Sequence, residues 1–143
     1  SIGCDRMFLA LMSLALVDET VPDADGKDST RTVLRIHPSL APVKCAVLPL
    51  VKNNEELMQL SQNIYHKLKS SFFCQFDEKD AIGRRYRRQD AIGTPFCVTV
   101  DFDSMEDGCV TIRDRDTLKQ ERVPIEQVAG IISSKVDLKN LLN

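Results

Sequence analysis

Asp101, Asp103 and Glu106 stand within one short stretch, and Arg113 and Arg115 follow a few residues on. Upstream, Arg84, Arg85, Arg87 and Arg88 crowd into a single segment of a chain whose net charge is −2. Carboxylates accept hydrogen bonds from exocyclic amines such as that of cytosine, and guanidiniums fork onto phosphate or guanine. The same residue types also form cross-strand ion pairs on a wetted sheet face. A run of arginines on a helix is equally a solvated face. From the residues alone both readings stand.

Other chemistries find less support. His37 and His66 are isolated, without a recognisable serine, cysteine or carboxylate partner in sequence. There is no phosphate-binding glycine loop and no metal-ligand cluster. The five cysteines are odd in number, widely spaced and free of any C-x-x-C pair. That pattern predicts reduced thiols rather than a disulfide framework or a zinc site. The sequence pI of about 5.7 argues against indiscriminate polyanion binding, although a local basic patch survives that argument. The apolar run at 7–17 is too short to span a membrane, so no membrane partner is expected.

The elements that must position these groups follow from periodicity. Residues 1–17 read as a helix apolar nearly all round, which expects burial on several sides. The acidic stretch 18–30, with Pro22 and Gly26, reads as an exposed loop. Strands are predicted at 31–36, 43–50 and 71–76, with a helix between the last two, capped by Asn53 or Asn54 and striped by Leu57, Leu60, Ile64 and Leu68. A second helix over 81–91 carries the arginines and ends at Gly93-Thr94-Pro95. Phe96, Val98, Val100 and Phe102 then alternate with polar residues, and "SMEDG" reads as the turn of a hairpin whose second strand holds Val110 and Ile112. One hairpin face is apolar. The other offers Cys97, Thr99, Asp101, Thr111 and Arg113, with Asp103, Glu106 and Arg115 near the turn. An edge strand at 120–123 and a last helix opened by Pro124 complete the order β-α-β-α-β-β-β-α. The fold class is α/β: a mixed sheet of about five strands with helices packed on it, preceded by one apolar helix.

Two sets of motifs together carry a resemblance. "SIGCDRMFLALMSLA" resembles the third signature motif of class II aminoacyl-tRNA synthetases in its glycyl form. "RTVLRIHPSLAPVKCAVLPL", "IGRRYRRQDAIGTPFCVTVDFD" and "VTIRDRDTLKQERVPI" resemble the anticodon-binding domain of the same family. The resemblance covers 1–132 and implies three parts: a remnant of the catalytic domain at 1–20, a linker at 21–41 and an anticodon-binding domain at 42–143. Residues 136–143 match nothing in it.

The resemblance further implies a ligase that joins glycine to tRNA-Gly with ATP and Mg2+. It places Gly3, Cys4, Asp5 and Arg6 at ATP, with Arg6 on the phosphates, and Ser1 and Gly3 near glycine. Asp101, Asp103, Glu106, Arg113 and Arg115 would read the anticodon, while Arg84, Arg87 and Arg88 would position the tRNA backbone. Glycine anticodons carry two adjacent cytosines, for which carboxylates are natural acceptors. The full-length protein would be a cytoplasmic homodimer. This stretch alone is expected to be largely monomeric, to bind tRNA without catalysing and to require no cofactor. The alternative class is a non-catalytic, synthetase-like accessory protein that binds nucleic acid.

Overall fold

The computed structural model describes residues 16–22 and 27–137. The expected apolar helix, apart from its last two residues, and the unmatched tail beyond 137 lie outside the described residues, as do Ser1, Gly3, Cys4, Asp5 and Arg6.

Two sheets are present. Strands β1 (Leu16–Pro22) and β2 (Asp28–Leu34) form an antiparallel ribbon in which Glu19 stands opposite Arg31. The main sheet contains β3 (Cys45–Pro49), β4 (Cys74–Phe76), β5 (Phe96–Val100), β6 (Cys109–Asp114) and β7 (Gln120–Pro124), in the order β4-β3-β5-β6-β7. β3 runs parallel to β4 and β5, and the last three strands pair antiparallel. The helices are α1 (Glu55–Lys69), α2 (Ile82–Ile92), the short α3 (Phe102–Asp107) and α4 (Ile125–Val136), with a 3-10 turn at Pro38–Leu40. The main sheet is the mixed five-stranded α/β architecture that the periodicity predicts.

Local chemistry explains the elements. The Asn54 side chain accepts a hydrogen bond from the Leu57 amide at 3.0 Å, and Glu55 and Glu56 occupy the positive end of α1. Leu57, Ile64 and Leu68 are buried and Leu60 is half-buried, as the predicted stripe requires. Every residue of β3 is buried, because helices cover both faces of a parallel strand. One face, with Cys45, Val47, Val98, Val100, Val110 and Ile112, packs against α1 and α4. The opposite face, with Ala46, Leu48 and Cys97, meets Ile82 and Tyr86 of α2. Cys45, Cys74 and Cys97 are buried free thiols and Cys109 is half-buried. Burial pushes the Cys97 thiol up to about 12, so it stays protonated and inert at neutral pH.

Three expectations need correction. The stretch 18–30 is not an exposed loop where it is described: residues 18–22 end β1 and 28–30 begin β2. Its polar side chains concealed a strand whose charges are satisfied across the ribbon and by the main domain, as with Arg31. Leu16 and Val17 likewise belong to β1 rather than to the end of a helix. Within the stretch expected as a linker, Leu34, Ile36 and Ala41 are buried in a small apolar cluster of their own. Finally, the "SMEDG" hairpin turn is a helix, because the chain leaves the sheet at Asp101 and caps α3.

Gly93 joins the ribbon to α2. Its φ is +84° in the left-handed region, and a β-carbon there would stand 2.8 Å from Leu34 Cδ2. Both backbone and space exclude a side chain. Gly93→Ala is expected to destabilise the fold by about 1–3 kcal/mol from the backbone conformation alone, with further loss from Leu34. Urea unfolding should show a lower midpoint at unchanged slope.

Candidate nucleic-acid interface

The predicted charged residues divide into two groups once the fold places them. Arg113 and Arg115 project from β6 and the turn after it, but into the interior: they are 5% and 2% exposed. Arg113 forks onto Asp90 of α2, with Nη1 donating to Oδ1 at 2.9 Å and Nη2 to Oδ2 at 3.1 Å. Its guanidinium also lies 4.6 Å above the Tyr86 ring. Arg31 of β2 donates to the same carboxylate at 2.9 Å. Arg115 donates to the carbonyls of Gly93 and Ile36, at 2.9 Å and 2.6 Å. The expectation that Arg113 and Arg115 stand on an open reading face is therefore corrected. The polar hairpin face is covered by α2 and the ribbon, and period-two alternation alone cannot show what covers a polar face.

The arginine helix divides in the same way. Arg85 is buried and donates to the carbonyls of Pro49, Leu50 and Asp77, tying together the ends of β3 and β4. Arg88 bridges Asp77 at 2.6 Å and Asp80 at 2.6 Å. Arg87 is half-buried with Asp90 Oδ2 3.9 Å away. Arg84 is exposed, with no ion pair or side-chain hydrogen bond to any described residue.

The carboxylates follow from α3. Asp101 is its N-cap: its Oδ1 accepts from the Ser104 amide at 3.0 Å, while Ser104 Oγ accepts from the Asp101 amide at 3.1 Å. Arg122 of β7 then clamps both ends of the helix, at 3.1 Å from Asp101 Oδ2 and 2.9 Å from Asp107 Oδ2. Asp101, expected as a reader, is thus committed to holding the helix. Asp103 and Glu106 are exposed and make no ion pair or side-chain hydrogen bond among the described residues. Phe102, which alternation placed in the core, stands 48% exposed. Arg122, Phe102 and the helix itself escaped the sequence reading. The signal was present as Asp101 three residues before Ser104, with Gly108 (φ +67°) closing the helix.

This fold and surface belong to a recognisable class. Residues 44–135 match the anticodon binding domain family, and the chain belongs to it. Two curated relatives, both glycine–tRNA ligases, are 50% identical to it: one from Clostridium perfringens over 96% of this chain, one from Streptomyces coelicolor over 94%. The chain spans 29% of the length of each. A prolyl-tRNA synthetase from Cryptosporidium parvum, solved with L-proline and AMP, has the same fold, with a TM-score of 0.66 at 18% identity over 82% of this chain and 31% of that one.

The clamp on α3 has a pH signature. Burial raises the Asp101 carboxyl, but hydrogen bonds from Arg122 and Ser104 outweigh it and hold the group below its ordinary value. The Cys109 amide and Arg122 do the same for Asp107. A carboxyl held below its unfolded value contributes stability above that value and loses it as pH falls through the folded one. The stability difference between wild type and Arg122→Gln should therefore be constant above about pH 5 and shrink below about pH 4. Urea midpoints measured from pH 3 to 7, as a rough span around those values, give the comparison.

Proposed function

We propose that this chain is the anticodon-binding part of a ligase that attaches glycine to tRNA-Gly using ATP. The observation that carries this reading is its 50% identity to glycine–tRNA ligases over nearly its whole length. Those names favour the enzyme over a non-catalytic accessory protein. In this reading the whole protein acts in the cytoplasm as a homodimer. Gly3, Cys4, Asp5 and Arg6 hold ATP with its Mg2+, and Ser1 and Gly3 face glycine.

The recognition roles are narrower than the residue types alone suggest. Asp103 and Glu106 keep carboxylates exposed on one short helix, unpaired among the described residues. They are the acceptors offered to cytosine amines. Arg84 is the exposed guanidinium available to a phosphate, with Arg87 and Arg88 adding to the positive field beside it. Asp101, Arg113 and Arg115 act indirectly by holding the surfaces that carry these groups.

The test is binding of a tRNA-Gly anticodon stem-loop at fixed salt, compared with a loop whose two central cytosines are changed to uracil. The complete natural polypeptide carrying this chain should bind the cytosine loop more tightly by roughly 1–3 kcal/mol per base. Asp103→Asn with Glu106→Gln should remove most of that preference, while Arg84→Gln should weaken both loops alike. Undiminished preference in the Asp103/Glu106 variant would contradict the carboxylate assignment. Failure of the wild type to bind either loop would contradict the reading as a whole.

A further inference from the structure

Two of the buried thiols are direct neighbours. Cys45 on β3 and Cys74 on β4 are register partners in the parallel pair, so their side chains leave the sheet on the same side. Both are free thiols of the main core cluster. Neighbouring strands lie about 4.7–4.9 Å apart, inside the Cα separation of about 4.4–6.8 Å that a disulfide bridges. Cys97 is no rival partner, because it leaves β5 on the opposite face, with Ala46 and Leu48.

The two thiols differ in access. Cys45 is fully buried, and burial, followed by the adjacent Cys74 thiol, pushes it well above its ordinary value. Cys74 is 7% exposed and stands on the edge strand of the sheet. It lines an open groove with Tyr65, Gln75, Phe76 and Phe73, the last of these largely exposed. A small oxidant in that groove meets the Cys74 sulfur first and reaches Cys45 only through it. The edge also supplies the movement that a bond requires. A disulfide draws its β-carbons to about 3.8 Å. β4 has three residues and only β3 beside it among the described residues, so it can close on β3 without parting from another strand.

We propose that Cys45 and Cys74 are a site of reversible disulfide formation in the folded domain, oxidised by a low-molecular-weight disulfide such as oxidised glutathione. The Cys74 thiolate attacks one sulfur of the oxidant. The S–S bond of the oxidant breaks, a mixed disulfide forms on Cys74, and one glutathione leaves as its thiolate. Cys45 gives its proton to water, and its thiolate attacks the Cys74 sulfur and expels the second glutathione. The pair loses two electrons and two protons, and oxidised glutathione becomes two reduced molecules. The bond ties the edge strand to β3, and an excess of reduced thiol reverses it. This site is independent of the anticodon-binding reading.

The experiment incubates the complete natural polypeptide with oxidised glutathione at neutral pH without denaturant, blocks the remaining thiols and maps the unreduced peptides by mass spectrometry. A peptide pair joined through Cys45 and Cys74 should form, and dithiothreitol should remove it. Cys74→Ser should abolish the link and leave no adduct on Cys45. Cys45→Ser should leave one glutathione held on Cys74, because the thiol that would displace it is gone. In the wild type the rate of linking should stay within about twofold when urea is added well below the unfolding transition.

Absence of the link in the wild type, or a link from either cysteine to another thiol in its place, would overturn the proposal. A rate that climbs with urea as the unfolded population does would also overturn it, since the chemistry would then belong to the unfolded chain. Glutathione on Cys45 in the Cys74→Ser variant would overturn the route through the groove. The wild-type map and its urea dependence decide the matter even where a serine variant fails to fold.

Discussion

The fold turns on one buried carboxylate. Asp90 on α2 is fully inaccessible, and it is met by Arg113 from β6 and Arg31 from β2. Removing a partner from such a site leaves an uncompensated buried charge, worth about 3–5 kcal/mol. Those arginines come from the main sheet and the N-terminal ribbon, so the carboxylate fixes how helix, sheet and ribbon meet. Arg31 extends the chain outward to Glu19, and Arg115 closes the same seam through the carbonyls of Gly93 and Ile36. Gly93 lets the backbone turn directly against Leu34 at that point.

This constraint separates charges that build the fold from charges left at the surface. In a chain with nineteen Lys and Arg residues, arginine is first a structural material here. Arg31, Arg85, Arg113 and Arg115 are interior, and each satisfies carboxylates or backbone carbonyls that the fold would otherwise leave bare. The planar fork of arginine, which holds two acceptors at once, suits that work better than lysine would. Among the outward groups without an ion pair to a described residue are the Arg84 guanidinium on α2 and the Asp103 and Glu106 carboxylates on α3, beside the exposed Phe102 ring. The division gives α3 a rigid base, because the Arg122 clamp and the capping box consume the other two acidic residues of that segment.

The sheet was legible in the sequence because its strands are apolar or alternate and its long helices carry caps and stripes, as Asn54 and Leu57 show. The ribbon was not. "DETVP" and "DSTRTVL" look like loop because their polar side chains are satisfied by residues distant in the chain, and no local pattern reports such partners. The same blindness misplaced Arg113 and Arg115, whose exposure depends on α2 and β2 lying over the polar face. Phe102 failed differently. Alternation across Val98, Val100 and Phe102 is real, yet the local cap Asp101-x-x-Ser104 overrides it within one residue. The carboxylate pair Asp103 and Glu106 was found on sequence grounds, but on a presumed strand turn rather than on the helix that aligns Glu106 with the ring.

The most direct measurement of the Asp90 account is a double-mutant cycle with Arg31→Met and Asp90→Asn, read by urea unfolding. If the carboxylate ties ribbon to sheet, the two changes couple, and the double variant loses less stability than the sum of the singles by about 1–3 kcal/mol. Additive losses, agreeing within about 0.5 kcal/mol, would mean that Arg31 and Asp90 stabilise the fold independently and that the ribbon is held by its apolar contacts alone.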